Sequence, residues 1–446
     1  MGSDSIVRDA IAVTGIGLWN ALGVGRAAIW EAVRAGRSGI GTLDDPLARA
    51  LGGPFPLARA PEVDLSSLGL EETAREALTG GEAGEPIDTD AALLAALIQL
   101  AVDDARLSWD RDRNRVALVV AHENPGIDGY VTRVLDTVEG VRLGARGESD
   151  RYPAAELADS AAMAALLYRE HHRSVVGLQT FMLLHRLARA FGCHGLGLVV
   201  NNACASGLYA VEAAARELRE GEAEAALVAA GDRPLLATKS RYFHDLGLLA
   251  GDGRVRPFGR DRHGFVLGDG GAALVLEPLE RARARGARVV AIYRGGAFNQ
   301  EAWKVTLPRP DSALYAEAIA AAMARAGVTA EDIDLVVPHG VATGVGDAYE
   351  ARCLRAVLDH ALERVPVLAL KGAIGHNLGG SALNELAIGL LALEAGEVPP
   401  SPGCEDPDPA LGVAPGAITG RRSIRHLLKC ANGFGGFNAA AVFSAR

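Results

Sequence analysis

The apolar and polar positions of the chain follow two periods. Short apolar runs that end in glycine or a small polar residue predict strands, and apolar residues at three- and four-residue spacing predict amphipathic helices. Strands are predicted at residues 11–16, 116–120, 195–200, 225–230, 272–276, 289–292, 333–337 and 365–370. Helices are predicted at residues 27–35, 90–107, 178–190, 206–218, 313–326, 346–358 and 381–394. Strands that alternate with helices predict an α/β fold whose parallel sheets are covered on both faces.

Two stretches show little period and are predicted to be irregular. Residues 41–84 are rich in Gly, Pro and acidic residues, and residues 124–168 are partly polar. Elsewhere the order of strand, reactive residue and helix occurs in both halves of the chain. This recurrence predicts a duplicated unit, with a first half at residues 1–255 and a second half at residues 256–446. No low-complexity linker separates the halves, so we expect one compact body.

Charge and cysteine content exclude several function classes. The 446 residues carry a net charge of −10, which argues against nucleic acid binding, because that needs clustered positive charge. Five cysteines at irregular spacing, with no C-x-x-C pair, indicate neither a disulfide framework nor a zinc site. A reducing cytoplasm fits this usage. No segment reads as a secretory leader or a membrane span, so we expect a soluble protein without a membrane partner.

The first candidate for chemistry is Cys204, in the stretch VVNNACASG at residues 199–207. The uncharged run before it predicts a buried strand, and Ser206 is predicted to cap the helix that follows. A cysteine at a helix N-terminus lies near unpaired amides and a positive dipole end, which favour the nucleophilic thiolate. A buried core thiol explains the local pattern equally well, so both interpretations stay open on these residues alone.

Two histidines are the next candidates. His339 follows a predicted strand in PHGVATGVGD, and His376 lies in KGAIGHNLGGSALNE together with Lys371 and Glu385. A lone histidine is more often a satisfied structural residue. Both of these, however, lie in glycine-flanked turns at strand ends, where open α/β sheets bind their ligands.

These stretches together resemble a known family. AVTGIG near the start, NNACASG, RPFGRDRHGFVLGDGGAALVLE, PHGVATGVGD, KGAIGHNLGG and the C-terminal GFGGFN occur in the family's order over nearly the whole chain. The chain resembles the β-ketoacyl-acyl-carrier-protein synthases of the thiolase superfamily, in their Cys-His-His elongating class. The resemblance implies a thiolase-like, layered αβαβα fold built from two related halves.

The resemblance also implies roles for residues. Cys204 would take an acyl group from a carrier thioester, and His339 and His376 would stabilise the enolate formed when a malonyl-type thioester loses carbon dioxide. Backbone amides of Cys204 and Phe434 would form an oxyanion hole. Phe434 would also gate the site, with its flexibility supplied by Gly433, Gly435 and Gly436.

Further matches surround these residues. Lys371 and Glu385 match a buried ion pair beside the histidines, and Asp347 and Glu350 match carboxylates that support the first histidine. Thr306 and Thr343 match threonines that line the substrate site. Val341 stands where the family usually has a threonine that binds the pantetheine arm. Asn432 and Phe437 also depart from the family, and we expect these three positions to reshape the mouth of the pocket.

The implied partner is an acyl carrier protein, which brings its own phosphopantetheine, so no separate cofactor and no metal is expected. A dimer is implied, either with a second copy or with a related subunit that lacks the cysteine. The pathway, fatty acid or polyketide, stays open. Two other functions also stay open: an acyltransferase without decarboxylation, and a non-catalytic partner that shapes the pocket of another subunit. Cys430 is expected to be a structural thiol.

Overall fold

The computed structural model describes residues 10–79, 89–123, 127–145, 160–233 and 237–446. Its strands are β1 (Ile11–Asn20), β2 (Gly23–Val24), β3 (Ile40–Leu43), β4 (Phe55–Ala58), β5 (Val116–Ala121), β6 (Gly197–Val200), β7 (Ala225–Asp232), β8 (Leu267–Gly268), β9 (Gly270–Pro278), β10 (Ala291–Gln300), β11 (Leu335–Val337), β12 (Glu397–Val398), β13 (Gly420–Arg421), β14 (His426–Gly433) and β15 (Phe437–Ser444).

Its α-helices are α1 (Arg26–Arg34), α2 (Pro46–Ala50), α3 (Glu72–Thr79), α4 (Thr89–Ala105), α5 (Ile127–Ala145), α6 (Ser160–Gly177), α7 (Thr180–Phe191), α8 (Ser206–Arg219), α9 (Ala237–Asp245), α10 (Leu279–Ala284), α11 (Leu314–Ala326), α12 (Gly344–Leu358), α13 (Lys371–Ile374) and α14 (Ser381–Ala395). Short 3-10 turns cover Leu65–Leu68, Ala330–Asp332, Asp359–Glu363, Leu378–Gly380 and Phe434–Gly436.

Within the described residues, one continuous sheet runs in the order β11-β14-β15-β10-β1-β9-β7-β5-β6, with β2 beside β1. Only β5 with β6, β5 with β7, and β11 with β14 are parallel pairs in this sheet. The predicted parallel pairing therefore holds only for these three pairs, and the sheet is mixed. The pairs in the middle of the sheet, from β15 to β7, are antiparallel. Strands β14 and β15 are antiparallel because the short turn at Phe434–Gly436 joins them, a connection that parallel strands cannot use.

Two helices form the innermost layer. The sequence of α14, SALNELAIGLLALEA, is apolar around most of its circumference, which is typical of a helix with no solvent-facing side. It is buried from Ser381 to Leu393 and shares a core with α8. Helices α4 and α7 pack on one outer face, and α11 and α12 pack on another. The resulting layers of helix and sheet are those of the expected thiolase-like αβαβα fold.

The same central helix accounts for the one apolar segment of membrane-spanning length. Within the part of the chain that the structure describes, Leu378–Ala395 is long and apolar enough to cross a bilayer, and 89% of it is buried inside the protein. It therefore fits a core helix.

Several secondary-structure predictions are wrong. The stretch predicted to be irregular at residues 41–84 contains part of β3, then α2, β4 and α3, and the stretch at residues 124–168 contains α5 and much of α6. Residues 80–88, 124–126 and 146–159 lie outside the described residues. The strand predicted at residues 365–370 forms only an isolated bridge between Val336 and Val367. Strands β14 and β15 were not among the predicted elements.

The division of the chain at residues 255 and 256 stays a prediction. Strand β9 follows that point in the sequence and pairs with β1 and β7 of the first half.

Candidate active site

Cys204 lies in the loop that joins β6 to α8 and is 8% exposed. Ala203, before it, has a positive φ of 48°, which turns the chain sharply into the helix. The prediction that Ser206 caps this helix is wrong, because Ser206 is its first residue. Its hydroxyl instead donates to the carbonyl of Ala203 (2.6 Å) and accepts from the N–H of Asn202 (2.7 Å). Ser206 therefore holds the nucleophile loop in its tight form.

Strand β6, which leads to Cys204, is not the buried strand that its apolar sequence predicts. Gly197 is exposed and residues 198–200 are half-buried, because β6 is the last strand of the sheet. Phe181 on α7 and Leu196 are exposed nearby, at 59% and 38%. An apolar edge strand of this kind is open to pairing with another chain.

The Cys204 thiol is neutral in the resting site. Burial and the nearby carboxyl of Glu123 raise its pKa, and these effects exceed the opposing ones of Lys371 and of the backbone N–H groups of Phe434 and Cys204. Burial therefore outweighs, at this thiol, the effect of the helix N-terminus that favours a thiolate. The two N–H groups meet at the sulfur because Gly433 has no side chain: a Cβ there would lie 3.0 Å from the nitrogen of Cys204.

His339 and His376 lie together beside this cysteine. Their ring centroids are 5.6 Å apart and their planes are inclined by 80°. Nδ1 of His376 accepts from the N–H of Leu378 (3.1 Å) and lies 2.9 Å from the Ser381 hydroxyl. A neutral His376 must therefore carry its proton on Nε2. Nδ1 of His339 lies 3.5 Å from the ammonium of Lys371, which favours the same tautomer there.

Both imidazoles are held neutral. Burial, followed by the positive charge of Lys371, lowers the pKa of each histidine well below its ordinary value. Two neutral rings that carry a proton on Nε2 can donate two hydrogen bonds to one developing negative charge in the cavity.

A pH dependence of stability follows from His376. Because its pKa is lowered in the folded protein, the unfolded chain takes up a proton below about pH 6.5 that the folded chain does not. As the pH falls below that value, we expect the free energy of unfolding of the native protein to decrease by about 1.4 kcal/mol more per pH unit than that of His376→Asn. Urea unfolding of both proteins at about pH 7.5 and about pH 5.5 measures this difference. Equal losses in the two proteins would contradict it.

Two buried lysines share one carboxylate behind the histidines. Glu385 pairs with Lys371 through one oxygen and with Lys429 through the other, the latter at 2.5 Å. Lys371 also donates to the carbonyl of His339, and Lys429 donates to that of Pro338 (3.1 Å). The triad of Lys371, Glu385 and Lys429 therefore ties α13, α14 and β14 to the residues at the end of β11.

The backbone at His339 is fixed by two further carboxylates. Glu350 accepts from the N–H groups of His339 and Gly340, both at 2.7 Å, and Asp347 accepts from those of Phe258 (2.6 Å) and Ala342 (2.9 Å). Burial raises the pKa of Asp347 to about 7 and also raises that of Glu350. Glu350 thus holds the backbone of His339 itself, and Asp347 joins the turn after His339 to Phe258.

A cavity of about 530 Å³ opens onto these groups. The predicted site residues that line it are Cys204, Thr306, His339, Val341, Thr343, His376, Asn432, Gly433, Phe434 and Gly436. Phe437 is not among the described lining residues. Its ring packs against Tyr209 in the core, with centroids 6.2 Å apart, so it does not shape the pocket mouth as predicted. Val341 does line the cavity, and Thr343 uses its hydroxyl to cap α12.

The loop that carries Phe434 is held by the segment at residues 300–305. Gly435, with a φ of 80°, donates to the carbonyl of Val305 (2.7 Å) and accepts from the side chain of Gln300 (3.1 Å). The ring centroids of Phe434 and Phe243, which both line the cavity, are 6.1 Å apart. Movement of Phe434 would therefore have to break contacts with this segment.

Two residues of the site were missed in the sequence. Glu123 lines the cavity with Cys204 and lies two residues after the end of β5, so its place near a strand end was a usable signal. Lys429 interrupts the apolar run LLKCA, where a lysine needs a buried partner. Among the described residues, no group of three or more His, Cys, Asp or Glu side chains is arranged to hold a metal ion.

Comparison with known proteins finds a family for both parts of the chain. Residues 8–282 match the family "Beta-ketoacyl synthase, N-terminal domain", and residues 290–405 match "Beta-ketoacyl synthase, C-terminal domain". The chain is 32% identical to the tetracenomycin polyketide synthase ketoacyl synthase alpha subunit of Streptomyces glaucescens, over 97% of this chain and 96% of that protein. It is also 32% identical to 3-oxoacyl-[acyl-carrier-protein] synthase 2 of Vibrio cholerae, over 59% of this chain and 65% of that protein.

Among solved structures, the ishigamide ketosynthase/chain length factor superposes with a TM-score of 0.82 at 25% identity, covering 98% of this chain and all of that one. A type II polyketide acyl carrier protein in complex with its ketosynthase, AntDE:AntF, gives a TM-score of 0.75 at 23% identity, covering 98% of this chain and 99% of that one, and supports the fold.

Proposed function

The chain belongs to the beta-ketoacyl synthase family, and we propose that it catalyses decarboxylative condensation of acyl thioesters in polyketide biosynthesis. One observation carries this proposal. A buried cysteine, flanked by two backbone donors, shares a cavity with two neutral histidines, and a backbone N–H fixes the tautomer of one of them, His376. The polyketide pathway is supported by the alpha subunit of the tetracenomycin synthase, which matches over nearly the full length of both chains.

The reaction would begin with transfer of an acyl group. The sulfur of Cys204 attacks the carbonyl carbon of an acyl-carrier thioester, and the N–H groups of Cys204 and Phe434 stabilise the oxyanion. The bond to the carrier sulfur breaks, and the carrier thiol leaves with the proton that Cys204 gives up. The acyl group remains on Cys204 as a thioester.

Condensation would follow when a malonyl-type carrier thioester enters. Its carbon–carbon bond to the carboxylate breaks, carbon dioxide leaves, and the electron pair forms an enolate whose oxygen accepts from His339 and His376. The enolate carbon attacks the acyl carbon on Cys204, and the cysteine leaves as a thiolate. Here the neutral rings stabilise charge and need not exchange protons.

The test of this function is release of carbon dioxide coupled to product formation. Purified protein, supplied with an acyl-carrier and a malonyl-carrier thioester, should release one carbon dioxide for each chain extended by two carbons. Stable acylation without any carbon dioxide release would favour the non-decarboxylating acyltransferase instead. Failure to acylate at all, with or without related subunits, would favour the non-catalytic partner.

The partners belong to the same proposal. An acyl carrier protein would deliver both thioesters on phosphopantetheine, so the enzyme itself would need no cofactor. The exposed apolar edge at β6 would pair with a second copy or with a related subunit. A ketosynthase/chain length factor is among the solved structures that the chain resembles, which supports a related subunit as the partner. Because this chain carries Cys204, it would be the active member of such a pair. Its place of action would be the cytoplasm.

A further inference from the structure

Glu123 lies in the cavity beside the nucleophile. Strand β5 pairs in parallel with β6, with Ala121 opposite Val200, so Glu123 follows β5 at the same edge of the sheet at which the nucleophile loop follows β6. The side chain of Asn201 donates to the carbonyl of Glu123 (2.8 Å) and joins the two segments. Glu123, Cys204 and His376 all line the one cavity of about 530 Å³.

The side chain of Glu123 also lies close to Gly379. A Cβ on Gly379 would lie 3.2 Å from Cγ of Glu123 and 2.9 Å from a carboxylate oxygen of Asp232. Gly379 belongs to the short turn that follows His376, so Glu123 lies between the nucleophile loop and the histidine loop. An acyl group attached to Cys204 therefore shares the cavity with this side chain.

The cavity holds a second carboxyl group, Glu301, which shows by contrast what is unusual about Glu123. Glu301 accepts from the N–H of Arg309 (2.6 Å) and from the hydroxyl of Tyr349, so its hydrogen-bonding capacity is used inside the protein. Among the described residues, no donor forms a hydrogen bond to the carboxyl of Glu123. This carboxyl is therefore available to a group that enters the cavity.

The protonation of Glu123 indicates which group that is. Burial, followed by the negative charge of Asp232, raises its pKa to about 7. An acyl chain that displaces water from the cavity raises the pKa further, because burial disfavours the charged form. In the acylated site Glu123 is then a neutral acid, with one O–H donor and remaining acceptor capacity.

A neutral acid discriminates between acyl chains. Beside a hydrocarbon chain, the carboxyl group is buried without a hydrogen-bond partner. The free-energy cost of burying it unpaired is larger than the gain from a typical hydrogen bond. Facing an oxo or hydroxyl oxygen, it forms that hydrogen bond. We propose that Glu123 selects acyl groups that carry an oxygen close to the thioester on Cys204 over plain hydrocarbon chains. This role rests on the proposed function, since it requires acylation of Cys204.

The experiment measures acyl transfer to Cys204 by intact mass. Hexanoyl-, β-hydroxyhexanoyl- and β-oxohexanoyl-pantetheine are offered separately to the native protein, Glu123→Gln and Glu123→Leu, with Cys204→Ala as the unlabelled control. The three thioesters differ in intrinsic reactivity, so absolute rates are not compared between them. The informative quantity is the rate of acyl transfer from each oxygen-bearing thioester divided by that from the hexanoyl thioester, and how this ratio changes between variants. We expect Glu123→Leu to lower that ratio about 10-fold. Glu123→Gln should retain most of it, because the amide has the same shape and also donates.

The outcomes separate three possibilities. An unchanged ratio in Glu123→Leu, with adducts on Cys204, would overturn the role of Glu123 alone. Equal slowing of all three thioesters in both variants would also overturn it, and would instead make Glu123 an acceptor of the thiol proton. If no adduct forms even on the native protein, the proposed function fails as well. Glu123→Met supplies a second apolar variant if the leucine variant does not fold.

Discussion

Cys204→Ala is expected to abolish acyl transfer to the protein while it leaves decarboxylation of a malonyl thioester measurable. The two steps use different groups: acyl transfer forms a bond to the sulfur, whereas enolate formation depends on His339 and His376. Condensation should fall by at least about 1000-fold, since no acyl-enzyme forms. Intact mass measures the acylation, and carbon dioxide release measures the decarboxylation.

His376→Ala gives the reciprocal result in the same two assays. We expect it to acylate Cys204 at close to the native rate, because the thiol is flanked by backbone donors that do not involve the histidine. Its decarboxylation should fall about 100- to 1000-fold, the usual effect of removing one donor to a developing negative charge. If both variants lost both steps equally, the assignment of separate roles to the cysteine and the histidine would be wrong.

The sequence predicts most of the site because its chemistry is carried by short motifs at strand ends. Cys204 follows β6 and His339 follows β11, whereas His376 follows the short helix α13. Open α/β sheets bind their ligands at such strand ends, so Cys204 and His339 could be singled out from the strand pattern. The resemblance to a family then assigns roles that the local pattern leaves open. For these reasons the fold class and the places of Cys204, His339 and His376 in the cavity follow from sequence, whereas that of Glu123 does not.

What the sequence does not predict depends on side-chain direction and on the balance of opposing effects. Phe437 is adjacent to the gate in sequence, yet the two-residue alternation of β15 turns its ring toward Tyr209. A helix N-terminus lowers the pKa of a thiol, whereas burial raises it. At Cys204 burial has the larger effect on the pKa, and the size of that effect depends on the atoms that pack around the thiol in the folded protein.

Glu385→Gln is expected to destabilise the protein more than any other single change to the site. Glu385 is 1% exposed and is the carboxylate partner of both Lys371 and Lys429, which are fully buried. Its removal leaves two buried lysines without the carboxylate that they share as an ion-pair partner. Breaking even one buried pair from one side costs about 3 to 5 kcal/mol. Urea unfolding should therefore show a decrease in the free energy of unfolding at the upper end of that range or beyond.

Lys429→Met is the matched control for this change. It removes one of the two positive charges and leaves Lys371 paired one-to-one with Glu385. Burial already lowers the pKa of Lys429, so a methionine in its place loses a pair whose desolvation is expensive. We expect a cost below about 1.5 kcal/mol, within the range of a tolerated volume-conserving change.

The combination of the two changes decides between a role in charge balance and a role in shape. If counter-charge is what Glu385 supplies, adding Lys429→Met to Glu385→Gln should restore part of the lost stability, because only Lys371 then remains unpaired. If the three side chains serve only to fill space, the two costs should simply add. A double variant less stable than Glu385→Gln would therefore contradict charge balance as the function of this triad.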